Sequence, residues 1–208
     1  LIGHNRKATM GRVVAETSHP FVVDKTFAMV HNGTLRGHKK LKETEVDSEA
    51  LAHLLEPVLK SGVSKEELEE QMGKIDGAYA VSAYSQSENS MFLLRNGERP
   101  LSLLELPDCW LFASESGLLL WIAGRNGYDV AKASLKPLKE HVIYTVNLKT
   151  NAIVEQEYTP KKALPPVIPA LGTGVHTVWK KMKTTITHSE TLVSKNGLKR
   201  LKSRFLGK

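Results

Sequence analysis

Two short strings near the start of the chain carry groups that could bind and polarise a small polar substrate. The first, GHNRKATMG at residues 3–11, contains Arg6, whose planar guanidinium suits a carboxylate. The second, MVHNGTL at residues 29–35, contains Asn32, with its amide donor, and Gly33, whose backbone N–H is accessible because there is no Cβ. Two converging donors of this kind could stabilise a developing oxyanion.

Asp47 adds a carboxylate at the predicted start of a helix. It stands where an N-cap belongs, and its side chain could also accept hydrogen bonds from an ammonium group. Together with Arg6 it would hold an α-amino acid by both charged groups, while Asn32 and Gly33 would polarise a carbonyl farther along the molecule. Such a site could hydrolyse or transfer an amide if a nucleophile is present.

Each of these groups also has a purely structural interpretation. Arg6 could be a surface arginine at a strand end, and Asn32-Gly33 could be an ordinary turn, the usual setting of that dipeptide. Asp47 could serve only as an N-cap, a role that is compatible with substrate binding. The residues alone leave these alternatives open.

The elements that would position these groups follow from the hydrophobic pattern. Residues 21–30 predict two short strands around Asp24 and Lys25, and residues 31–45 are polar and typical of a loop. An apolar stripe at helical spacing predicts a helix that begins at Asp47 and is shortened by Pro57.

The remainder of the body mixes strands and helices without regular alternation. A capping pattern at Ser64 and Glu67 predicts a second helix that stops at Asp76-Gly77. We predict strands at residues 78–84 and 109–114, and two strands joined by a turn within residues 90–106. A hairpin is predicted over residues 141–158 and a short helix over residues 115–124. This order favours an α+β fold with antiparallel sheet over a parallel, doubly wound one.

Composition narrows the class of protein. The 208 residues contain one cysteine, Cys109, which we expect in the core of its strand, so an internal disulfide and a cysteine-rich zinc site are excluded. The eight histidines show no metal-ligand spacing, and no metal is assigned. No apolar run approaches the ~20 residues of a membrane span, and the start LIGHNRKATM is unlike a signal peptide. We expect a cytoplasmic protein with no membrane contact and with N-terminal residues missing before Leu1.

Charge divides the chain into two predicted parts. Residues 161–208 contain eleven Lys or Arg and a single acid, Glu190, whereas residues 1–160 contain 18 bases and 21 acids. We therefore predict a domain over residues 1–159 and, over 160–208, a Pro/Gly-rich linker with a basic tail. The tail is either a solvated, disordered segment or one that binds nucleic acid or an acidic partner.

The motifs, taken in order, resemble a known family. GHNRKATMG, HPF, MVHNGTL, VDSEALAHLL, DGAYAV, LLRNGERPL and FASESGLLL resemble the glutaminase domain of class II glutamine amidotransferases, which are N-terminal-nucleophile hydrolases, over roughly residues 1–158. The resemblance implies a four-layer α/β/β/α sandwich with antiparallel sheets, here N-terminally incomplete. It also implies cofactor-free hydrolysis of the side-chain amide of L-glutamine to glutamate and ammonia.

The resemblance assigns roles to individual residues. Asn32 and Gly33 match the oxyanion hole. The other matches belong to substrate binding. They are Arg6, which would bind the glutamine carboxylate, Thr9 in the same pocket, His31 at the head of the His-Asn-Gly string, and Asp47, which would bind the amino group. The segment Phe112-Ala113-Ser114-Glu115 matches a sheet segment that is mainly structural.

One departure from the family pattern concerns the nucleophile. The family uses a cysteine at the mature N-terminus, several dozen residues before the Gly-His-x-Arg string, and Cys109 matches no nucleophile position. We expect that cysteine to lie upstream of Leu1. The ammonia would then pass to a separate synthase, or the protein would act as a stand-alone enzyme. The alternative is a non-catalytic scaffold or sensor whose basic tail binds nucleic acid or an acidic partner.

Overall fold

The structure is a computed structural model that describes residues 2–4, 12 and 14–161 of the chain. The predictions for Arg6 and Thr9, and those for the basic tail beyond Lys161, lie outside the described residues. Of the helices in the described part, none is both long enough and apolar enough to cross a lipid bilayer.

The described residues form nine strands in two antiparallel sheets. The larger sheet has six strands in the order β1-β2-β3-β4-β8-β9, and the smaller has three in the order β6-β5-β7. Their bounds are β1 Phe21–Val23, β2 Phe27–Leu35, β3 Gly77–Ser85, β4 Ser90–Arg95, β5 Ser102–Glu105, β6 Trp110–Ala113, β7 Ser134–Pro137, β8 Val142–Asn147 and β9 Ile153–Glu157.

Three α-helices and two 3-10 turns complete the described part. The helices are α1 Asp47–Leu55, α2 Lys65–Gly73 and α3 Ser116–Arg125, and the 3-10 turns are Ala15–Thr17 and His38–Lys40. In α2, Ser64 accepts a hydrogen bond from the backbone N–H of Glu67 (3.1 Å), which confirms the predicted N-cap. In α1 the predicted cap is wrong by one residue, because Val46 is the N-cap and Asp47 is the first helical residue.

Three buried clusters show how these elements are layered. Leu51 and Leu55 of α1 pack with the outward face of the larger sheet, whose alternate residues, including Phe27, Met29, Val81 and Leu94, lie in the same cluster. The opposite face contributes Leu93 and Tyr144 to a second cluster with Leu103 of β5. Leu104, on the other side of β5, packs with Leu119 and Ala123 of α3. The order is therefore helices, sheet, sheet, helix, which is the expected α/β/β/α sandwich.

The string that contains Asn32 and Gly33 is a strand, so the prediction of a loop from residue 31 is wrong. β2 runs on to Leu35 because β3 pairs with it along its whole length, from Phe27 opposite Ser85 to Leu35 opposite Gly77. The string tolerates a strand because His31 and Asn32 have hydrogen-bond partners on opposite faces of the sheet. Asn-Gly here is strand interior and not a turn.

Two further differences concern the smaller sheet. The strands predicted on both sides of the turn within residues 90–106 do form, but β4 joins the larger sheet and β5 the smaller one. Strand β7 was not predicted, because its sequence SLKP is polar and ends in proline, and it is tolerated only at a sheet edge.

Candidate active site

Strand β2 presents Asn32 to the space between the two sheets. A cleft of about 520 Å³ opens there, and its walls include Asn32 and Ser82 from the larger sheet and Phe112 and Ser114 from the β6 side. We call this space the inter-sheet cleft. Gly3 and His4, the first two residues of the GHNRKATMG string, also line it.

The Asn32 amide is oriented by a hydroxyl across the cleft. Its Nδ2 donates a hydrogen bond to Oγ of Ser114, at 3.1 Å, immediately after the end of β6. A primary amide nitrogen carries two N–H donors, so one can still serve a ligand. Sequence reasoning treated Ser114 as structural, and its partnership with Asn32, 82 positions away, carries no local sequence signal.

The backbone N–H of Gly33 points to the edge of β2 that faces away from β3. Arg36 N–H donates to the Asp76 carbonyl on the β3 side (2.7 Å), while Leu35 N–H donates to the Asp47 carboxylate on the other side. Backbone groups alternate along a strand, so Gly33 shares the direction of Leu35. On that side β1 pairs with β2 only as far as Met29, within the described residues. Gly33 N–H therefore lies on an edge that no described strand covers.

Only glycine fits at position 33. A Cβ built there would overlap the carbonyl oxygen of Ala78 and Nε2 of His31. The missing side chain thus does two things, because it opens the N–H to a ligand and leaves room for the His31 ring on the helix-facing side of the sheet.

Asp47 lies beside the same edge of β2. Its Oδ2 accepts the hydrogen bond from Leu35 N–H at 2.8 Å, and its Oδ1 accepts one from Ser48 N–H at 2.9 Å. The residue is 6% exposed, and its place in the first turn of α1 puts a negative charge at the positive end of the helix dipole. A carboxylate has about four acceptor positions, so each oxygen retains capacity for an ammonium group.

These groups are spaced to suit one amino acid. Gly33 and Leu35 are two residues apart along a strand, which corresponds to roughly 6.6 Å. An extended glutamine spans a comparable distance between its α-amino nitrogen and its side-chain carbonyl oxygen. The arrangement can hold an amino group at Asp47 and polarise a carbonyl at Gly33 and Asn32.

His31 lies on the opposite face of β2 from Asn32 and is 2% exposed. Its Nδ1 lies 3.0 Å from Ser48 Oγ, and its Nε2 lies 3.3 Å from the Ala78 carbonyl oxygen. Burial lowers the pKa of His31 below its ordinary value, and the opposing charge of Asp47 offsets part of that effect. Both ring nitrogens have protein partners; substrate contact by His31 remains a prediction.

The cysteine of this chain is not in the cleft. The expectation of a core position for Cys109 is wrong, because the residue is exposed just before β6 and its Sγ lies 3.8 Å from the Tyr128 hydroxyl. Four residues of nearly extended chain, 110–113, lie between it and Ser114, so the five steps from Cα to Cα span roughly 16 Å. Its thiol cannot reach a carbonyl held at Asn32.

Comparison with known proteins shows the family of this chain. The family model described as "Glutamine amidotransferase domain" matches residues 4–121, more than half of the chain, and the matched segment contains Asn32, Gly33 and Asp47. The chain belongs to the class II glutamine amidotransferase domains.

Curated amidotransferases of known sequence resemble part of the chain. The glutamine–fructose-6-phosphate aminotransferase of Bartonella quintana is 30% identical over 138 residues, which cover 61% of this chain and 23% of that protein. The amidophosphoribosyltransferase of Bacillus subtilis is 32% identical over 131 residues, which cover 55% of this chain and 27% of that protein. The chain thus spans about a quarter of the length of these relatives.

A solved structure shares the fold. The glutamine phosphoribosylpyrophosphate amidotransferase of B. subtilis, solved with ADP and GMP, superposes with a TM-score of 0.55 at 22% identity, covering 76% of this chain and 35% of that one. This likeness is one of fold, and it agrees with the layering of antiparallel sheets and helices described above.

Proposed function

We propose that this amidotransferase domain is a glutaminase, which hydrolyses the side-chain amide of L-glutamine to glutamate and releases ammonia for transfer. The observation that carries the proposal is the open edge of β2. There the Asp47 carboxylate is anchored at Leu35 N–H, two residues from the Gly33 N–H, with Asn32 turned into the adjoining cleft.

In this proposal the substrate is bound at both ends. Asp47 accepts hydrogen bonds from the α-ammonium group, and Arg6 and Thr9, which lie outside the described residues, hold the α-carboxylate. Gly3 and His4 support this assignment, because they bring the start of the string that contains Arg6 to the wall of the inter-sheet cleft. Asn32 and Gly33 then stabilise the oxyanion of the tetrahedral intermediate.

The nucleophile in this proposal is an N-terminal cysteine encoded upstream of Leu1. Its thiolate attacks the amide carbon, the amide nitrogen leaves as ammonia after accepting a proton, and water hydrolyses the γ-glutamyl thioester. Cys109 is unsuited to this step, since the length of β6 separates it from Asn32.

The test is glutamate release by the protein expressed from its full reading frame. We expect L-glutamine hydrolysis that disappears when the upstream cysteine is replaced by alanine, while Cys109→Ala keeps full activity. A reading frame without an N-terminal cysteine after the initiator Met, or equal loss in both variants, would contradict the catalytic proposal. Glutamine binding without hydrolysis would instead favour the sensor or scaffold alternative.

The fate of the ammonia is a further part of the proposal. The relatives are a glutamine–fructose-6-phosphate aminotransferase and an amidophosphoribosyltransferase, and most of their length has no counterpart in this chain. We propose that a synthase outside residues 1–208, on the same or a separate polypeptide, accepts ammonia from this domain. Detection of free ammonia from the isolated protein, suppressed when such a synthase is added with its acceptor, would support this.

A further inference from the structure

A buried chain of polar groups connects the two halves of the candidate site. Ser48, the second residue of α1, follows Asp47 directly, and its Oγ lies 3.0 Å from Nδ1 of His31 on β2. The other ring nitrogen, Nε2, lies 3.3 Å from the Ala78 carbonyl oxygen on β3. Ser48 and His31 are both buried, at 6% and 2% exposure. The catalytic proposal uses neither side chain.

The partners define the proton positions in this chain. A carbonyl oxygen can only accept, so Nε2 of His31 carries the hydrogen and donates to Ala78. Burial disfavours the imidazolium, so Nδ1 is an acceptor for the Ser48 hydroxyl. Ser48 Oγ lies 3.5 Å from Asp47 Oδ1, at the limit of a hydrogen bond, and its proton is therefore directed to His31.

The His31 ring also occupies the space next to Gly33. Its Nε2 is one of the two atoms that a Cβ at position 33 would overlap, and the other is the Ala78 carbonyl oxygen to which Nε2 donates. The ring therefore packs directly over the residue whose N–H faces the open edge. Any movement of α1 relative to β2 must either break the Ser48–His31 bond or shift this ring against Gly33.

We propose that Ser48 and His31 are positioning residues that hold the Asp47 carboxylate and the Gly33 N–H at a fixed separation, matched to glutamine. The inference rests on the proposed function, and it assigns neither residue a contact with substrate. Ser48 fixes the first turn of α1, which carries Asp47, and His31 transmits that position to the backbone of β2. Asp47, His4 and Arg99 are the charged or titratable groups that act on the His31 ring. Asp47 also bonds β2 directly through Leu35 N–H, and Ser48 adds a second contact that reaches the Gly33 position through the His31 ring.

The test compares two substitutions of nearly equal shape. Ser48→Thr keeps a hydroxyl that can donate to Nδ1, whereas Ser48→Val has almost the same volume without it. Binding of L-glutamine to the 208-residue chain is measured by calorimetry. We expect S48T to bind as wild type and S48V to bind roughly tenfold more weakly, the effect of one buried hydrogen bond. In the full-reading-frame enzyme, S48V is expected to lower kcat as well as raise KM, because Gly33 moves too.

A second readout observes His31 itself. Long-range ¹H–¹⁵N spectra identify the protonated ring nitrogen and the hydrogen bonding of the other one. We expect wild type and S48T to share an Nε2–H tautomer with a hydrogen-bonded Nδ1, and S48V to show a displaced Nδ1 resonance. Ser85→Ala is the matched control, since Ser85 is a buried serine at the opposite end of β3 and bonds to Ser87. We expect S85A to bind glutamine as wild type does.

The outcomes separate this inference from the proposed function. If wild type binds glutamine and S48V binds it equally well, or if S85A weakens binding as much as S48V, the positioning role is overturned and the glutaminase proposal stands. If wild type binds no glutamine, the proposed function fails. In that case, an Nδ1 resonance that is the same in wild type and S48V would also overturn the positioning role of Ser48 and His31.

Discussion

At the scale of single residues, the candidate site consists of two hydrogen-bond donors on β2 and one carboxylate at the start of α1. Asn32 carries a donor that Ser114 orients, Gly33 offers its backbone N–H, and Asp47 is fixed by Leu35 N–H. The roles of these residues stay predictions, although the residues themselves could be selected from sequence, because their types suggest the chemistry and the ordered motifs suggest the family. Ser114 and Ser48 could not, since their roles arise from contacts between elements that no local pattern encodes.

Asn32→Ala tests the oxyanion donor. Loss of one such donor costs about 10²–10³ in kcat, because the donor acts on charge that develops only in the transition state. We expect kcat for glutamine hydrolysis to fall by this amount with KM nearly unchanged, as measured by glutamate release. Ser114→Ala should reduce kcat less, because Asn32 remains present but is no longer oriented. A rise in KM with unchanged kcat would contradict this role, because it would show that Asn32 binds substrate and transition state equally well.

Gly33→Ala tests the packing requirement at the same strand. The added Cβ meets the Ala78 carbonyl oxygen and the His31 ring, so we expect a loss of about 1–3 kcal/mol in the free energy of unfolding, as for other overpacked sites. Gly117→Ala is the control, because a Cβ at that position in α3 meets no atom within 4 Å. Denaturant titration of both variants measures the difference, and equal stability of the two would refute the packing argument.

His31 should make stability depend on pH. Burial lowers the pKa of His31 in the folded state below its unfolded value of about 6.5, so the unfolded chain binds the proton more readily. The stabilisation is complete above about pH 6.5 and is lost as the pH falls toward the folded-state pKa, by up to about 1.4 kcal/mol per pH unit.

The measurement is the free energy of unfolding at several pH values between about 7.5 and 5, a window set by the ordinary histidine pKa. We expect His31→Asn to be less stable at neutral pH but to show a shallower decline on acidification. If the free energy of unfolding falls equally steeply with pH in wild type and H31N, His31 is not the cause of the pH dependence.

At the scale of elements, the outcome of prediction depended on whether the pattern was local. The helices beginning near Asp47 and Lys65, and strand β3, follow from apolar spacing and capping, and all three form. The continuation of β2 through His31 to Leu35 could not be predicted, because its polar side chains are satisfied by residues from α1 and the β6 end. β7 was missed for a related reason, since a polar edge strand has no hydrophobic signal.

The cap of α2 provides a test at this scale. Ser64 Oγ accepts the Glu67 N–H, and removal of such a cap costs about 1 kcal/mol. We expect Ser64→Ala to lower the free energy of unfolding by that amount in denaturant titration and to leave glutamine binding unchanged, since α2 carries none of the candidate site. Weakened glutamine binding in S64A would show that stability loss alone impairs the site.

At the scale of the whole molecule, the four-layer order could be predicted through the family resemblance and is confirmed by the three clusters. Periodicity alone reached only an α+β fold with antiparallel sheet, because it does not reveal which strands share a sheet. β4 and β5 are neighbours in sequence yet belong to different sheets, and their assignment depends on which face of each strand is buried against the other sheet. The domain boundary at residue 159 and the function of the basic tail stay predictions.

The measurement that tests the central claim most directly compares two ligands at Asp47. L-glutamine and its analogue without the α-amino group, 4-carbamoylbutanoate, are titrated into wild type and Asp47→Asn. If Asp47 holds the ammonium group, D47N should bind glutamine roughly 10–100-fold more weakly, the effect of one charge-assisted hydrogen bond, and should bind the analogue as wild type does. Equal weakening for both ligands, or none for glutamine, would contradict a site in which Asp47 and the β2 donors hold one glutamine.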